Sequence, residues 1–267
     1  MNAPVSQAAL DAAGAYDALM VPALFGPWAP VVADAGRIAE GERVLDVACG
    51  TGVLAREVAQ RVGEEGFVAG VDANEGMLAL AGRLSPDIEW RHGRAESLPY
   101  PDQSFDAVVS QFGLMFFADR IAALREALRV LEDGGRLAFA VFDAIEGIPA
   151  YAAELALLQR IGGVAAAEAL RAPFALGDPR RLARLLEEAG AAAVDVQTKP
   201  GRARFPGVRI MVEADLRGWL PVMGVDLDEP TIERILGEAE AVLEPYVTPG
   251  GEVEFDIAAH IVTGERR

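Results

Sequence analysis

Cysteine is all but missing: Cys49 is the only one in 267 residues, so the chain can form no internal disulfide and no thiolate metal cluster. Histidine is nearly as scarce, with only His92 and His260, and no metal site is expected. Basic residues are outnumbered, 24 Lys and Arg against 41 Asp and Glu, for a net charge of −17. Such a chain repels phosphate backbones and anionic lipid heads, which excludes nucleic acid as the expected partner. No apolar run reaches the roughly 18 residues of a membrane span. The first basic residue is Arg37, so no positively charged leader opens the sequence. The expectation from these absences is a cytoplasmic protein with no membrane insertion.

Repeats and low-complexity linkers are lacking too, which points to a single domain over residues 1–267. What is present is ample apolar material. With 52% hydrophobic and 24% charged residues, the chain can offset its ordering entropy without metal or disulfide staples.

The pattern along the chain alternates. Residues 6–21 read as a helix opened by Ser6, and the segment after it is punctuated by Gly26, Pro27, Pro30 and Gly36. Residues 1–40 are thus an N-terminal helical cap. From Arg43 the order is strand (44–47), glycine turn (49–52), helix (54–62), strand (67–71), helix (74–84) and strand (88–91). Strands at 105–110 and 136–142 flank a helix near 120–131. This alternation over 41–143 implies a parallel sheet with both faces covered. Beyond Asp143 come helical stretches at 150–172, 178–189 and 207–247, the last interrupted by Pro221 and Pro230. A strand fits 193–198, and a final alternating strand fits 253–263. Residues 144–267 are accordingly expected to supply helical lid insertions and the last two strands.

The most informative stretch is Val44-Leu45-Asp46-Val47-Ala48-Cys49-Gly50-Thr51-Gly52, a strand running into a glycine turn that lets a ligand approach the backbone. Asp72 stands twenty residues beyond Gly52, at the end of the next strand, where a carboxylate can accept hydrogen bonds from ribose hydroxyls. The blander reading is a tight turn and a helix cap. Gly50-x-Gly52-x-x-Ala55 alone fits a dinucleotide fingerprint as well as an S-adenosylmethionine site.

The residues around the turn separate the two. Asp46-x-Ala48-x-Gly50-x-Gly52, Val71-Asp72-Ala73-Asn74 with Met77, and Gly93-Arg94-Ala95-Glu96-Ser97-Leu98-Pro99-Tyr100 stand in order. Ser104-Phe105-Asp106, Gln111-Phe112-Gly113-Leu114-Met115-Phe116-Phe117 and Leu128-Arg129-Val130-Leu131-x-x-Gly134-Gly135-Arg136-Leu137 follow. Over roughly residues 40–142 this series resembles the class I S-adenosylmethionine-dependent methyltransferases, in the branch that includes the ubiquinone and menaquinone C-methyltransferases. The resemblance implies a Rossmann-like α/β fold: a mostly parallel seven-stranded sheet, helices on both faces, the last strand antiparallel, and helical lid insertions. It also implies S-adenosylmethionine as cofactor and S-adenosylhomocysteine as product.

Carried over position by position, the family pattern sets the methionine end against Ala48, Cys49 and Gly50, with Asp46 and Gln111 nearby. Asp72 would hold the ribose, Ala73 and Met77 would pack on the adenine, and Ala95 would offer its N–H to the ring. Tyr16 resembles the family's aromatic residue that closes over the cofactor, though ordinary helix packing explains it equally well. One departure stands out: Arg94 replaces the usual aspartate before Ala95, and Glu96 is the nearest substitute carboxylate.

In-line methyl transfer needs alignment and exclusion of water more than acid–base chemistry, and no catalytic residue is assigned. His92 is a candidate base, against the commoner reading of a solvent-facing loop histidine. Phe112, Met115 and Phe116 suit a hydrophobic or aromatic acceptor, and Tyr151, Trp219 and Met223 could complete its pocket, although core packing explains such residues as readily. The Asn/Asp-Pro-Pro-Tyr signature of nucleic-acid amino-methylating enzymes is replaced by Ser110-Gln111-Phe112-Gly113. The expectation is O-, N- or C-methylation of a small molecule. The alternatives are a cofactor-binding scaffold without activity and a nicotinamide-dependent oxidoreductase. The Ala- and Leu-rich helices are compatible with a homodimer.

Overall fold

A computed structural model describes residues 5–267; Met1 to Pro4, on which the reading of an uncharged chain start partly rests, lie outside the described residues. In chain order the elements are α1 (Gln7–Met20), α2 (Ala29–Ala35), β1 (Arg43–Val47), α3 (Val53–Val62), β2 (Phe67–Asp72), α4 (Glu75–Leu84), β3 (Glu89–His92), β4 (Phe105–Gln111), α5 (Arg120–Val130) and β5 (Leu131–Phe142). Next come α6 (Pro149–Ile161), α7 (Gly163–Arg171), α8 (Pro179–Ala189), β6 (Ala192–Lys199), β7 (Arg202–Phe205), α9 (Val208–Glu213), α10 (Leu220–Val222), α11 (Glu229–Leu243), β8 (Val253–Asp256) and β9 (Ala259–Glu265).

The chain divides into two compact units. The first contains residues up to Val141, Asp178–Lys199 and His260–Arg267. Its seven-stranded, mostly parallel sheet has the order β3-β2-β1-β4-β5-β9-β6, the Rossmann-like arrangement expected. Parallel pairing of β1 with both β2 and β4 makes the β1/β4 boundary the point where strand order reverses, the place where open α/β sheets bind ligands. β1, β2 and β4 are buried along nearly their whole length, as strands covered on both faces must be. At the sheet edge β6 alternates between half-buried and exposed residues. His260 is buried and shares a 2.9 Å hydrogen bond with Thr198, a packing role.

The second unit, Phe142–Gly177 and Pro200–Ala259, holds helices and an antiparallel two-stranded sheet of β7 and β8. The single closing strand expected over 253–263 is therefore two strands in two sheets. β7 escaped notice because four residues carry little periodic signal, although Arg202 and Arg204 lie opposite Asp256 and Glu254 across the ladder. The expected helix over 150–172 breaks at Gly163, which takes φ +86°, and Pro230 opens α11 instead of interrupting a helix.

Helical residues Gln7–Ala35, 29 in all, contain an 18-residue window of mean hydropathy 1.4, long and apolar enough to cross a membrane by length and composition. Asp11 and Asp17 divide the sequence into short apolar runs, yet a helix averages over them. In this structure the stretch buries Ala13, Ala23, Leu24, Trp28, Val32 and Ala33, the pattern of a core-facing helix.

Candidate functional site

The carboxyl end of β1 is shaped by unusual backbone. Ala48, Gly50 and Gly52 take φ of +58°, +55° and +86°, a left-handed series that costs energy at a residue with a Cβ. A Cβ at Gly50 would meet nothing within 4 Å, so the turn faces open space there. At the end of β4, Phe112 also has a positive φ of 55°. A Cβ at Gly113 would fall 2.6 Å from that of Ala48, so the two strand ends approach as closely as glycine allows. Ser110 ties them, donating to the Val47 carbonyl at 2.6 Å.

Asp72 links the turn to β2. Its carboxylate accepts from the Gly50 N–H and the Asn74 N–H, both at 2.8 Å. Burial raises its pKa, while hydrogen bonds from Asn74 and Gly50 and the nearby His92 oppose the rise. Asp46 is 1% exposed and neither carboxylate oxygen has a hydrogen-bond partner. Burial drives its pKa well above the carboxylate range; the Ala55 amide points at it too weakly to count as a partner and offsets only part of that rise. Burial likewise raises the Cys49 thiol, with Asp46 and Asp72 adding to the effect, so Cys49 is a neutral thiol and no nucleophile.

The N-terminal segment completes this end of the unit. Between α1 and α2 the chain makes a π-helical turn at Val21–Phe25 and a 3₁₀ turn at Gly26–Trp28. The Phe25 carbonyl accepts from Gln111 Nε2 at 2.9 Å, which leaves Gln111 Oε1 buried without a donor. Tyr16 stacks on Phe25 at 5.5 Å between centroids, and Phe25 and Trp28 both lie against Phe112. Burial, then Asp72 and Asp17, hold the Tyr16 hydroxyl protonated. Arg56 joins the segment to the turn, donating to the Thr51 carbonyl at 2.6 Å and lying 3.8 Å from Asp17.

Among the described residues of this turn and the N-terminal segment, the buried side-chain oxygens without a hydrogen-bond partner include those of Asp46, together with Gln111 Oε1, Thr51 Oγ1 and Asp17 Oδ1. Unpaired buried acceptors are costly, and a cationic ligand bearing an ammonium and a sulfonium, with ribose hydroxyls for Asp72, suits such a donor-poor cradle. The residues present fit S-adenosylmethionine.

Toward β3 the cradle is more open. Ala73 is exposed, Met77 half-buried and Ala95 buried. Glu96 accepts from the N–H groups of Ala118 and Asp119 at 2.8 and 3.4 Å and pairs with Arg94 at 3.4 Å. That carboxylate fastens the loop before α5. His92 is exposed, with Nε2 3.1 Å from the Ala73 carbonyl, beside Asp72 and separated from Gln111 by β2 and β1.

Of the acceptor candidates, Phe112 and Met115 are buried and Phe116 is 44% exposed, all in the first unit. Tyr151 packs in the second unit against Phe174 and Phe255. Trp219, in the same unit, donates to the Ala169 carbonyl at 2.7 Å. Sequence reasoning passed over Asp17, Thr51, Arg56, Phe25, Trp28 and Trp90. For Phe25 and Trp28 a signal existed, since large aromatics beside Pro22 and Pro27 mark a constrained segment.

Residues 45–139 match the methyltransferase-domain family designated type 11. The chain is 42% identical over 107 residues to demethylmenaquinone methyltransferase of Listeria welshimeri, covering 38% of this chain and 45% of that protein. It is 43% identical over 116 residues to the ubiquinone/menaquinone biosynthesis C-methyltransferase UbiE of Xanthomonas oryzae, covering 41% and 46%. The matched stretch spans less than half the length of these curated relatives. In fold the chain is similar to the YcgJ protein of Bacillus subtilis, with TM-score 0.57 and 19% identity over 90% of this chain and 97% of that one. It is also similar to phosphoethanolamine N-methyltransferase 2 of Haemonchus contortus, with TM-score 0.59 and 13% identity over 98% and 58%.

Residues 45–139 thus carry the methyltransferase-domain pattern of the class I S-adenosylmethionine-dependent enzymes. Within that class the matched stretch is of type 11, with distant homology to the quinone C-methyltransferases.

Proposed function

We propose that this chain methylates a small hydrophobic or aromatic acceptor, with S-adenosylmethionine held at the carboxyl ends of β1, β2 and β4. The observation that carries the reading is the left-handed glycine turn, tied by Gly50 to Asp72 and backed by the isolated Asp46. The bound cofactor would supply an activated methyl group. The protein's own tasks are alignment and exclusion of water.

Asp72 accepts from the ribose hydroxyls. Asp46, Ala48, Cys49, Gly50 and Gln111 surround the methionine end, where the unpartnered oxygens of Asp46 and Gln111 receive positive charge. Ala73, Met77 and Ala95 receive the adenine, with Arg94 and Glu96 at its edge. Tyr16, neutral and stacked on Phe25, covers the nucleoside. Phe112, Met115 and the exposed Phe116 form the apolar wall that meets the acceptor. Tyr151 and Trp219 are accounted for as packing within the second unit, so the proposal does not rest on them. The buried neutral thiol of Cys49 suits a reducing, cytoplasmic setting.

The test is methyl transfer from isotope-labelled S-adenosylmethionine to a panel of quinols, phenols, aromatic amines and hydrophobic carboxylates. Label in at least one acceptor, dependent on Asp72 and Phe116, supports the reading. A protein that binds the cofactor and labels none of them is instead a cofactor-binding scaffold.

A further inference from the structure

Three glycines from three elements outline a slot, and one indole fills it. The glycines are Gly52 at the head of α3, Gly70 in β2 and Gly82 in α4; the indole is that of Trp90 in β3. A Cβ at Gly52 would lie 2.4 Å from Trp90 Cη2. A Cβ at Gly70 would lie 2.4 Å from Cζ3 and 2.9 Å from Cys49 Sγ, and one at Gly82 would lie 3.6 Å from Cδ1. Distances near 2.4 Å leave no room for even a methyl group.

The strand register explains the reach. Gly70 is paired with Trp90 across the parallel β2/β3 ladder, and partnered residues present their side chains on the same face. With no side chain at Gly70, the indole crosses β2 and reaches the turn that follows β1. Its Nε1–H donates to the Ser85 carbonyl at 2.9 Å, which fixes the ring in its plane. The turn is thus packed against an aromatic edge at Gly52, while Gly50 faces open space.

We infer that Trp90 is a positioning residue for the cofactor: its indole, wedged against Gly52 and Gly70, holds the turn from Ala48 to Gly52 in the shape that receives S-adenosylmethionine. This rests on the proposed methyltransferase reading. The turn strings three positive-φ residues together, and such a backbone persists only where its surroundings over-determine it. Without the wedge the turn samples other conformations, and each binding event must restore the competent one. Affinity falls by the fraction of time the turn is out of shape. Trp90 touches no reacting atom in this account.

The experiment is calorimetric titration of the full chain with S-adenosylhomocysteine, for the unaltered protein and for Trp90→Ala, Trp90→Phe, Gly70→Ala and the Gly70→Ala/Trp90→Ala pair. Each is titrated well below its own melting temperature. Trp90→Ala is expected to raise the dissociation constant about tenfold or more, with Trp90→Phe recovering part of the loss and remaining folded if the alanine variant is not. Gly70→Ala is expected to weaken binding in the unaltered background and to cost less once the indole is gone, the coupling of two residues that act on one feature. Variants that melt at lower temperature yet bind like the unaltered protein would assign Trp90 to packing alone and overturn the inference. Failure of the unaltered protein to bind would overturn the cofactor reading and this inference with it.

Discussion

Asp72 and Asp46 show how two carboxylates beside the same turn differ in what they can do. Asp72 has donors on both oxygens, and those hydrogen bonds oppose the rise that burial gives its pKa. Asp46 has none and waits for positive charge. Replacing Asp72 with Ala is expected to weaken S-adenosylhomocysteine binding by about 1–3 kcal/mol, the scale for hydrogen bonds to a charged group, as read by titration calorimetry. An unchanged dissociation constant would mean that the ribose lies elsewhere. Gly52→Ala adds a Cβ 2.4 Å from Trp90 at a φ of +86°. Denaturant unfolding should show a loss of about 1–3 kcal/mol from backbone strain of this kind, and titration should show weaker cofactor binding. Asp46, Gly50, Gly52 and Asp72 were legible in the sequence because their backbone needs and spacing are local. Trp90, Asp17 and Arg56 were not: their places depend on strand register and on a helix packing from far along the chain.

At the scale of elements, the N-terminal segment is the least conventional part of the first unit. α1 crosses α4 so closely that a Cβ at Gly76 would sit 2.9 Å from the Ala9 carbonyl. The π-helical turn then presents the Phe25 carbonyl to Gln111. Departures of this kind mark sites where a helix is held by tertiary partners. Gln111→Leu removes the side-chain donor to the Phe25 carbonyl. Amide hydrogen exchange over residues 7–25 is expected to speed up in that variant and to slow on addition of S-adenosylhomocysteine in the unaltered protein. Equal exchange in all three samples would detach this segment from the site. The sequence supplied α1 through Ser6, whose hydroxyl accepts from the Ala9 N–H at 3.2 Å, and α8 as the stretch 178–189, which Asp178 and Gly190 cap. It did not supply the antiparallel β7/β8 pair or the split of residues 253–263, since short strands in a small sheet carry no period long enough to read.

On the scale of the whole molecule, the second unit carries an electrostatic liability of its own. Glu154 of α6 is fully buried with no donor to either oxygen. Asp215, in the π-helical turn Ala214–Trp219, is 6% exposed. Burial, then Asp215, drives the Glu154 carboxyl well above its ordinary range, and burial raises Asp215 to about 7. The pair is best described as sharing protons. Both folded-state pKa values exceed the unfolded ones, so the folded chain binds more protons between about pH 4 and 7 and stability falls as pH rises through that window. Glu154→Gln with Asp215→Asn is expected to flatten the decline in melting temperature between pH 5 and 8. An unchanged slope would place that titration elsewhere, with Asp46 and Asp72 the first alternatives. Neither acid was singled out in the sequence, because an acidic residue on an amphipathic helix ordinarily faces water.

The central claim is that the turn from Ala48 to Gly52, with Asp46 and Asp72, is built for S-adenosylmethionine. The most direct measurement is parallel calorimetric titration of the protein with S-adenosylmethionine, S-adenosylhomocysteine and NAD. Micromolar binding of the first two and none of the third is the predicted result; binding of NAD alone, or of none of the three by folded protein, would contradict the account.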